Sequence, residues 1–362
     1  MAASGAGGRP RVLVVNAGSS SLKVSLVDGS GRVLDSRATE VLELEGLGDV
    51  DAVGHRIVHG GERFTSAVLV DAGVREQLEA LVELAPLHQP KALDALDAVS
   101  AALGSVPAIA CFDTAFHATM PAEARTYALP REWRERFGLR RYGFHGLSHA
   151  WVARRAAEIL ARPSEGLRIV SCHLGAGASV CAIAGGRSLD TTMGFTPLEG
   201  LVMATRSGSV DPGVLLHLLE HGVGAAELSR RLEHDSGLLA LAGTADMREL
   251  IERAAGNEEA AGLALDVYLH RLGAAIAAMA AALGGLDALA FTGGVGERAP
   301  VVRAGAADRL GFLGVAVDAA ANGAAHADAD VSAAGAPVAT LVVTAREELE
   351  IARQVRELLA AR

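Results

Sequence analysis

Cysteine is scarce: the 362 residues contain only Cys111, Cys172 and Cys181. Three cysteines cannot close a disulfide framework, and no Cys-x-x-Cys spacing suggests a metal. Each lies in an apolar run, where a buried small hydrophobe is expected. Aromatic residues make up 4% of the chain, whereas alanine and glycine dominate it. Basic residues are outnumbered, with 33 Lys and Arg against 43 Asp and Glu and a net charge of −10. A nucleic-acid binder carries a basic surface, so this balance argues against that class while leaving room for a local phosphate pocket. Long apolar runs are missing as well. The longest, 272–286, is broken by glycines and too short to span a bilayer. Met1–Pro10 is small and Gly-rich, without the apolar stretch of a signal peptide. A soluble, cytoplasmic chain is the expectation. No GxxxxGK[ST] loop occurs either.

What is present is globular in character: 50% hydrophobic and 21% charged, at a length sufficient for two domains with separate cores. Within that length a pattern repeats. Residues 11–29, RVLVVNAGSSSLKVSLVDG, match residues 168–186, RIVSCHLGAGASVCAIAGG, at an offset of 157. Each copy reads as an apolar strand, a tight Gly/Ser turn and a second apolar strand. In the turns, Asn16–Ser21 and His173–Gly177, glycines let backbone N–H groups converge on an anion. Ser19, Ser20, Ser21 and Lys23 add hydroxyls and a positive charge to the first copy. Two such turns at equivalent points suggest two lobes gripping one polyphosphate. Chance likeness of two hairpins is the alternative, which the equal spacing weakens.

Further strands are expected at 32–36, 52–58, 107–112, 286–292 and 339–344. Helices are expected at 74–84, 93–103, 132–137, 147–160, 213–221, 258–283 and 347–361. This alternation predicts an α/β protein with a mixed, largely covered sheet in each lobe.

The segment VVNAGSSSLK at 14–23 resembles the start of the acetate kinases, a family of the acetate and sugar kinase/Hsc70/actin superfamily. The resemblance continues in family order over essentially the whole chain after Pro10. Its motifs are GHRIVHGG at 54–61, APLH at 85–88, FDTAFH at 112–117, RYGFHGLSH at 141–149, HLG at 173–175, PLEG at 197–200, TRSG at 205–208, FTGGVGE at 291–297 and EEL at 347–349. It implies a two-lobed, duplicated actin-like (ribonuclease H-like) fold with mixed sheets, helices on both faces and an interlobe cleft. The implied parts are an N-terminal lobe at 11–148, a C-terminal nucleotide-binding lobe at 149–346, a helix at 347–362 packing back on the first lobe, and a flexible extension at 1–10. It also implies reversible in-line transfer of the γ-phosphoryl group of ATP to acetate, giving acetyl phosphate and ADP. Mg²⁺, or Mn²⁺ in its place, would assist in a homodimer with no nucleic-acid or membrane partner. A propionate or other short-chain acyl kinase, a donor other than ATP, and a catalytically inactive nucleotide-binding relative are the competing expectations.

The chemistry sets what the residues must do. An acceptor carboxylate is already ionised at neutral pH and needs no general base. Catalysis then rests on alignment and on neutralising the transferring phosphoryl group, which calls for arginine forks and a metal ion. By resemblance Arg56 binds the acyl carboxylate and phosphoryl oxygens, Arg206 holds the phosphoryl group, His145 donates a hydrogen bond to it, and Asp113 is the essential acid near the metal. Taken alone, Arg56 and Arg206 also read as solvated arginines, His145 as structural, and Asp113 as a helix N-cap. Asn16 and Glu347 are implied to place Mg²⁺, with Glu348 the competitor for the second position and a plain first-turn acid the alternative.

By family position, an apolar wall for the methyl end falls to Val58, Leu87, Phe144 and Pro197. Such a wall discriminates weakly, since one methylene is worth about 1–3 kcal/mol, so propionate is a plausible second substrate. Lys23, His173, Leu174, Gly175, Ala176 and Gly177 would face phosphates. Asp246, Met247 and Arg248, with Gly294, Val295, Gly296, Glu297 and Arg298, would border the nucleoside, the glycines at 293, 294 and 296 letting adenine lie against backbone. The chain departs from the family pattern at Ala176, Ser209, Arg298 and the Ala345-Arg346 pair, and is short near Leu44–Asp51. The arginine, histidine and aspartate set is intact, so activity is expected.

Overall fold

The computed structural model describes residues 9–17, 22–39, 48–86 and 88–362. Residues 18–21 of the first Gly/Ser segment, most of the expected extension, half of the shortened segment and Leu87 lie outside the described residues. Two compact units emerge. Met1–Ala118, Gly146–Trp151 and Arg346–Arg362 make the first; Thr119–His145 and Val152–Ala345 make the second. The division falls inside the helix Gly146–Ile159 and not at one point in the chain.

The first unit is built on strands β1 (Val12–Ala17), β2 (Leu22–Val27), β3 (Val33–Thr39), β4 (Ala52–Ile57), β5 (Val68–Leu69) and β6 (Ala108–Phe112), in the order β3-β2-β1-β4-β6-β5. β1, β4 and β6 run parallel; β2, β3 and β5 are antiparallel to their neighbours. Successive side chains of β1 point to opposite faces. Val12 and Val14 pack with Ile351, Ala352 and Val355 of the helix Glu347–Ala360, while Leu13 and Val15 pack with Val24, Val53 and Val99. Burial on both faces is why this strand reads as an unbroken apolar run. Gly54 on β4 lies close under the C-terminal helix: a Cβ there would stand 2.5 Å from Ile351 Cγ2 and 2.9 Å from Val355 Cγ2.

The second unit repeats the plan with β7 (Arg168–Leu174), β8 (Ala178–Ala184), β9 (Arg187–Thr191), β10 (Ala288–Thr292), β11 (Ala329–Asp330) and β12 (Ala339–Val342). Its order, β9-β8-β7-β10-β12-β11, matches the first sheet strand for strand, with the same parallel and antiparallel pairings. The chain is a duplicated actin-like α/β fold. The repeat is not at a constant offset, however. Val12 pairs Val27, and its counterpart Ile169 pairs Ile183, so the offset drops from 157 in the first strand to 156 in the second. The first turn carries one more residue: 18–21 separate Ala17 from Leu22, whereas 175–177 separate Leu174 from Ala178. With that correction the register shift between Leu26 and Val27 falls on the one between Ala182 and Ile183. The duplication thus extends to a break in strand register.

Helices Ala225–His234, Met247–Ala255 and Pro300–Asp308 lie outside the expected set, and one expected helix is divided. The stretch 74–84 breaks into the helix Ala72–Glu79, capped by the Asp71 side chain on Val74 N–H, and a 3₁₀ turn at Val82–Leu84. The helix Glu259–Ala282 is long and apolar enough to cross a membrane, yet nine of its residues, Tyr268, Leu272 and Ile276 among them, are buried in the second unit. It is a core helix. Burial pushes all three cysteine thiols up, Cys181 to about 12, as fits inert core residues.

Candidate active site

Parallel strands present the residues that follow their C-terminal ends on one edge of a sheet. In the first unit β1 ends beside Asn16, β4 beside Arg56 and β6 just before Asp113, while Glu347 opens the C-terminal helix. These four side chains meet. Arg56 Nη2 and Nε donate to Asp113 Oδ2 at 2.5 and 3.1 Å, and Arg56 Nη1 donates to Asn16 Oδ1 at 3.1 Å. Asn16 Nδ2 donates to Glu347 Oε2 at 3.1 Å, which lies 4.0 Å from Arg56 Nε. Asp113 is buried, and burial raises its carboxyl; Arg56 and the Leu147 N–H pull it back, while Glu347 pushes it further up. Burial would lower the Arg56 guanidinium, but Asp113 and Glu347 more than offset this and hold it above its usual range. Asp113 Oδ1 is buried with no hydrogen-bond partner among the described residues. Glu348 is turned elsewhere, toward Lys23 at 3.5 Å and Arg346 at 3.7 Å. Helix phase therefore separates the two adjacent glutamates and places Glu347 in the cluster. Lys23 is half exposed and belongs to this unit.

In the second unit the β7–β8 hairpin organises His145 and Arg206. The His173 ring stacks on the His145 ring at 4.3 Å between centroids, and Ser179 Oγ lies 2.9 Å from His145 Nδ1. A Cβ at Gly177 would come within 3.5 Å of both His145 Nε2 and Arg206 Nη1, so glycine there leaves the space both side chains border. Arg206 Nε pairs with Glu233 Oε2 at 3.2 Å. Glu233 itself is held by its backbone, its carbonyl accepting from Thr205 Oγ1 at 2.9 Å.

A cavity of about 760 Å³ in this unit is lined by Gly175, Ala176, Asp246, Met247, Arg248, Gly294, Val295 and Arg298. Ala204, Leu238, Ile251, Tyr268 and Val301 also line it and carry no signal in the sequence that marks them for a site. The remaining residues expected at a nucleotide do not line this cavity. Leu174 is fully buried, and the Glu297 carboxylate accepts from Gly293 N–H and Ala345 N–H at 3.1 and 3.0 Å, tying the short helix Gly293–Arg298 in place. Of the three glycines, only Gly294 faces open space. A Cβ on Gly293, at φ 79°, would meet Leu174 O at 2.7 Å, and Gly296 packs on Phe291. Close backbone packing and a positive φ require glycine at 293, whereas a Cβ at 296 would make only ordinary contacts.

Buried Arg303 fastens the same wall without a carboxylate. It donates to Asn322 Oδ1 and O at 2.7 and 2.6 Å and to the Gly296 and Glu297 carbonyls at 2.9 and 2.8 Å. The Pro197–Gly200 loop is fastened too, Glu199 accepting from Arg141 at 2.7 Å and from the Tyr127 hydroxyl. Among the residues expected against a methyl group, Val58 is buried in the first unit, and buried Phe144 and half-buried Pro197 belong to the second. Glu233, Ser179, Arg303 and Glu199 escape sequence reasoning. A glutamate or serine far along the chain from its partner leaves no local pattern to read.

These arrangements can hold anions with arginine forks and enclose a flat apolar group, which is the equipment of a kinase. Comparison with known proteins agrees. A profile described as Acetokinase family matches residues 34–353. An acetate kinase of Leifsonia xyli is 45% identical, the match covering 97% of this chain and 99% of that one. The crystal structure of Porphyromonas gingivalis acetate kinase superposes with a TM-score of 0.89 at 37% identity, covering 97% of this chain and 100% of that one. A propionate kinase from Francisella tularensis gives 0.88 at 33% identity, covering 95% of this chain and 98% of that one. The chain belongs to the acetokinase family, enzymes that transfer phosphoryl groups.

Proposed function

We propose that this enzyme catalyses reversible transfer of the γ-phosphoryl group of ATP to acetate. An acetate oxygen bonds to phosphorus as the bond from phosphorus to the bridging oxygen of ADP breaks, giving acetyl phosphate and ADP. The observation that supports it most is the intact Arg56–Asp113–Asn16–Glu347 cluster in a chain of this family. Arg56 would bind the carboxylate through donors not spent on Asp113. Arg206 and His145 would take the phosphoryl oxygens, and the cavity bounded by Met247, Ile251 and Val295 the nucleoside. The Val58, Leu87, Phe144 and Pro197 set would contact the methyl group.

The first-unit oxygens suit Mg²⁺. Two carboxylates and an amide are hard ligands, and Asp113 Oδ1 is buried without a hydrogen-bond partner among the described residues. Mg²⁺ keeps several waters and needs few protein ligands, so it does not require the cluster of three acids, histidines or cysteines that is absent among the described residues. Asn16, Asp113 and Glu347 would hold it, directly or through water, and it would neutralise phosphate charge. A cytoplasmic homodimer is part of the reading.

Propionate is the second reading, supported by the likeness to a propionate kinase. Acyl hydroxamate formation from acetate, propionate or butyrate with ATP, GTP or pyrophosphate, Mg²⁺ and hydroxylamine tests both. Fastest product with acetate and ATP is expected. No hydroxamate from any pair would sink the kinase, and faster propionate would select the second reading.

A further inference from the structure

His173 and Ser179 stand directly opposite each other on the β7–β8 hairpin. Both touch His145, one through ring stacking and the other at Nδ1, 2.9 Å from the hydroxyl. Ser179 is fully buried on β8, so the sheet fixes where its oxygen sits. The opposite edge of the imidazole, with Nε2, borders the space at Gly177 that Arg206 Nη1 also borders. His145 holds a left-handed backbone, φ 57°, immediately before the helix Gly146–Ile159. A non-glycine residue keeps that conformation where its surroundings over-determine it.

A neutral imidazole has one donor nitrogen and one acceptor nitrogen, and the partner at one selects the other. For Nε2 to donate to a phosphoryl oxygen beside Arg206 without first becoming imidazolium, Nδ1 must accept. We infer that Ser179 is a positioning residue: its hydroxyl donates to His145 Nδ1, fixing the Nε2–H tautomer and aiming that N–H toward the space at Gly177. The direction of this hydrogen bond rests on the kinase reading above, since the 2.9 Å contact admits either atom as donor, and the spectrum below reads it independently of activity.

Ring ¹⁵N NMR of the histidine-labelled full chain at pH 8 tests the tautomer, the His145 signals being assigned by their loss in His145→Gln. The expected spectrum has Nε2 protonated and Nδ1 as acceptor, with that bias weakened in Ser179→Ala. Nδ1–H in the unmutated chain overturns the inference, whatever the activity. In turnover, Ser179→Ala is expected to lower kcat about tenfold with KM values nearly unchanged. Ser179→Thr, which keeps the hydroxyl, recovers most of kcat. A loss not recovered by threonine marks a merely structural serine and overturns the inference. Should Ser179→Ala fail to fold, the unmutated spectrum still decides. An inactive enzyme with the Nε2–H tautomer would sink the phosphoryl reading and leave the positioning intact.

Discussion

Arg56 and Asp113 are each other's principal counter-charge inside a buried cluster. Removing one partner of a buried pair strands the other, at a cost of about 3–5 kcal/mol. Arg56→Ala should therefore lose stability of that order in urea melts as well as nearly all turnover. Arg56→Lys should keep more stability but little activity, because an ammonium cannot serve Asp113, Asn16 and a substrate anion at once. Near-normal turnover in either variant contradicts the role given to Arg56. Beside it, buried His55 is held neutral, its pKa pushed down by burial to about 4. The unfolded chain binds a proton near pH 6.5 and the folded one does not, so His55 favours folding above that pH. Its contribution falls as pH drops from about 6.5 to 4, by on the order of 3 kcal/mol. Urea melts across that range should show the decline, and His55→Leu should flatten part of it. An unchanged slope in that variant would show that other groups carry the acid sensitivity.

Elements are more legible in the sequence than the contacts between them. The apolar run of β1 and the long alanine-rich helix Glu259–Ala282 both carry a local signal. The helix Met247–Ala255 carries it as well, with Met247, Leu250, Ile251 and Ala254 on one stripe behind an Asp246 cap. It is absent from the expected helices because its first residues read as part of a nucleoside-binding motif. The two-residue strands β5 and β11 offer no period at all. Distant partners such as Glu233 for Arg206 are invisible in sequence, since only folding brings position 233 beside position 206. Two substitutions test how elements dock. Gly54→Ala forces a methyl against Ile351 and Val355 and should cost about 1–3 kcal/mol by overpacking. Arg303→Met leaves the Gly296, Glu297 and Asn322 carbonyls without their donor, at about 1–3 kcal/mol each if unsatisfied, and should raise the nucleotide KM more than it lowers kcat. Unchanged melts and KM would mean that the wall near Val295 is held by other contacts.

At the scale of the whole molecule, one strand plan is used twice and then specialised. The first copy of the plan carries the Arg56–Asp113–Asn16–Glu347 cluster, and the second carries the cavity and the His145–His173 stack. Both copies join their first two strands, paired antiparallel, through a short Gly-containing segment, and for that reason the repeat is legible in the amino-acid sequence. Its one-residue change of offset is not, because only hydrogen-bond register counts the residues inside a turn. What the two halves are proposed to do together is move phosphorus onto a carboxylate oxygen. The most direct measurement uses acetate labelled with ¹⁸O, ATP and Mg²⁺, followed by ³¹P NMR of the acetyl phosphate formed. The account predicts an isotope shift showing ¹⁸O bonded to phosphorus, and loss of the signal in Arg56→Ala. Acetyl phosphate without that shift, or none at all from active, folded enzyme, would contradict it.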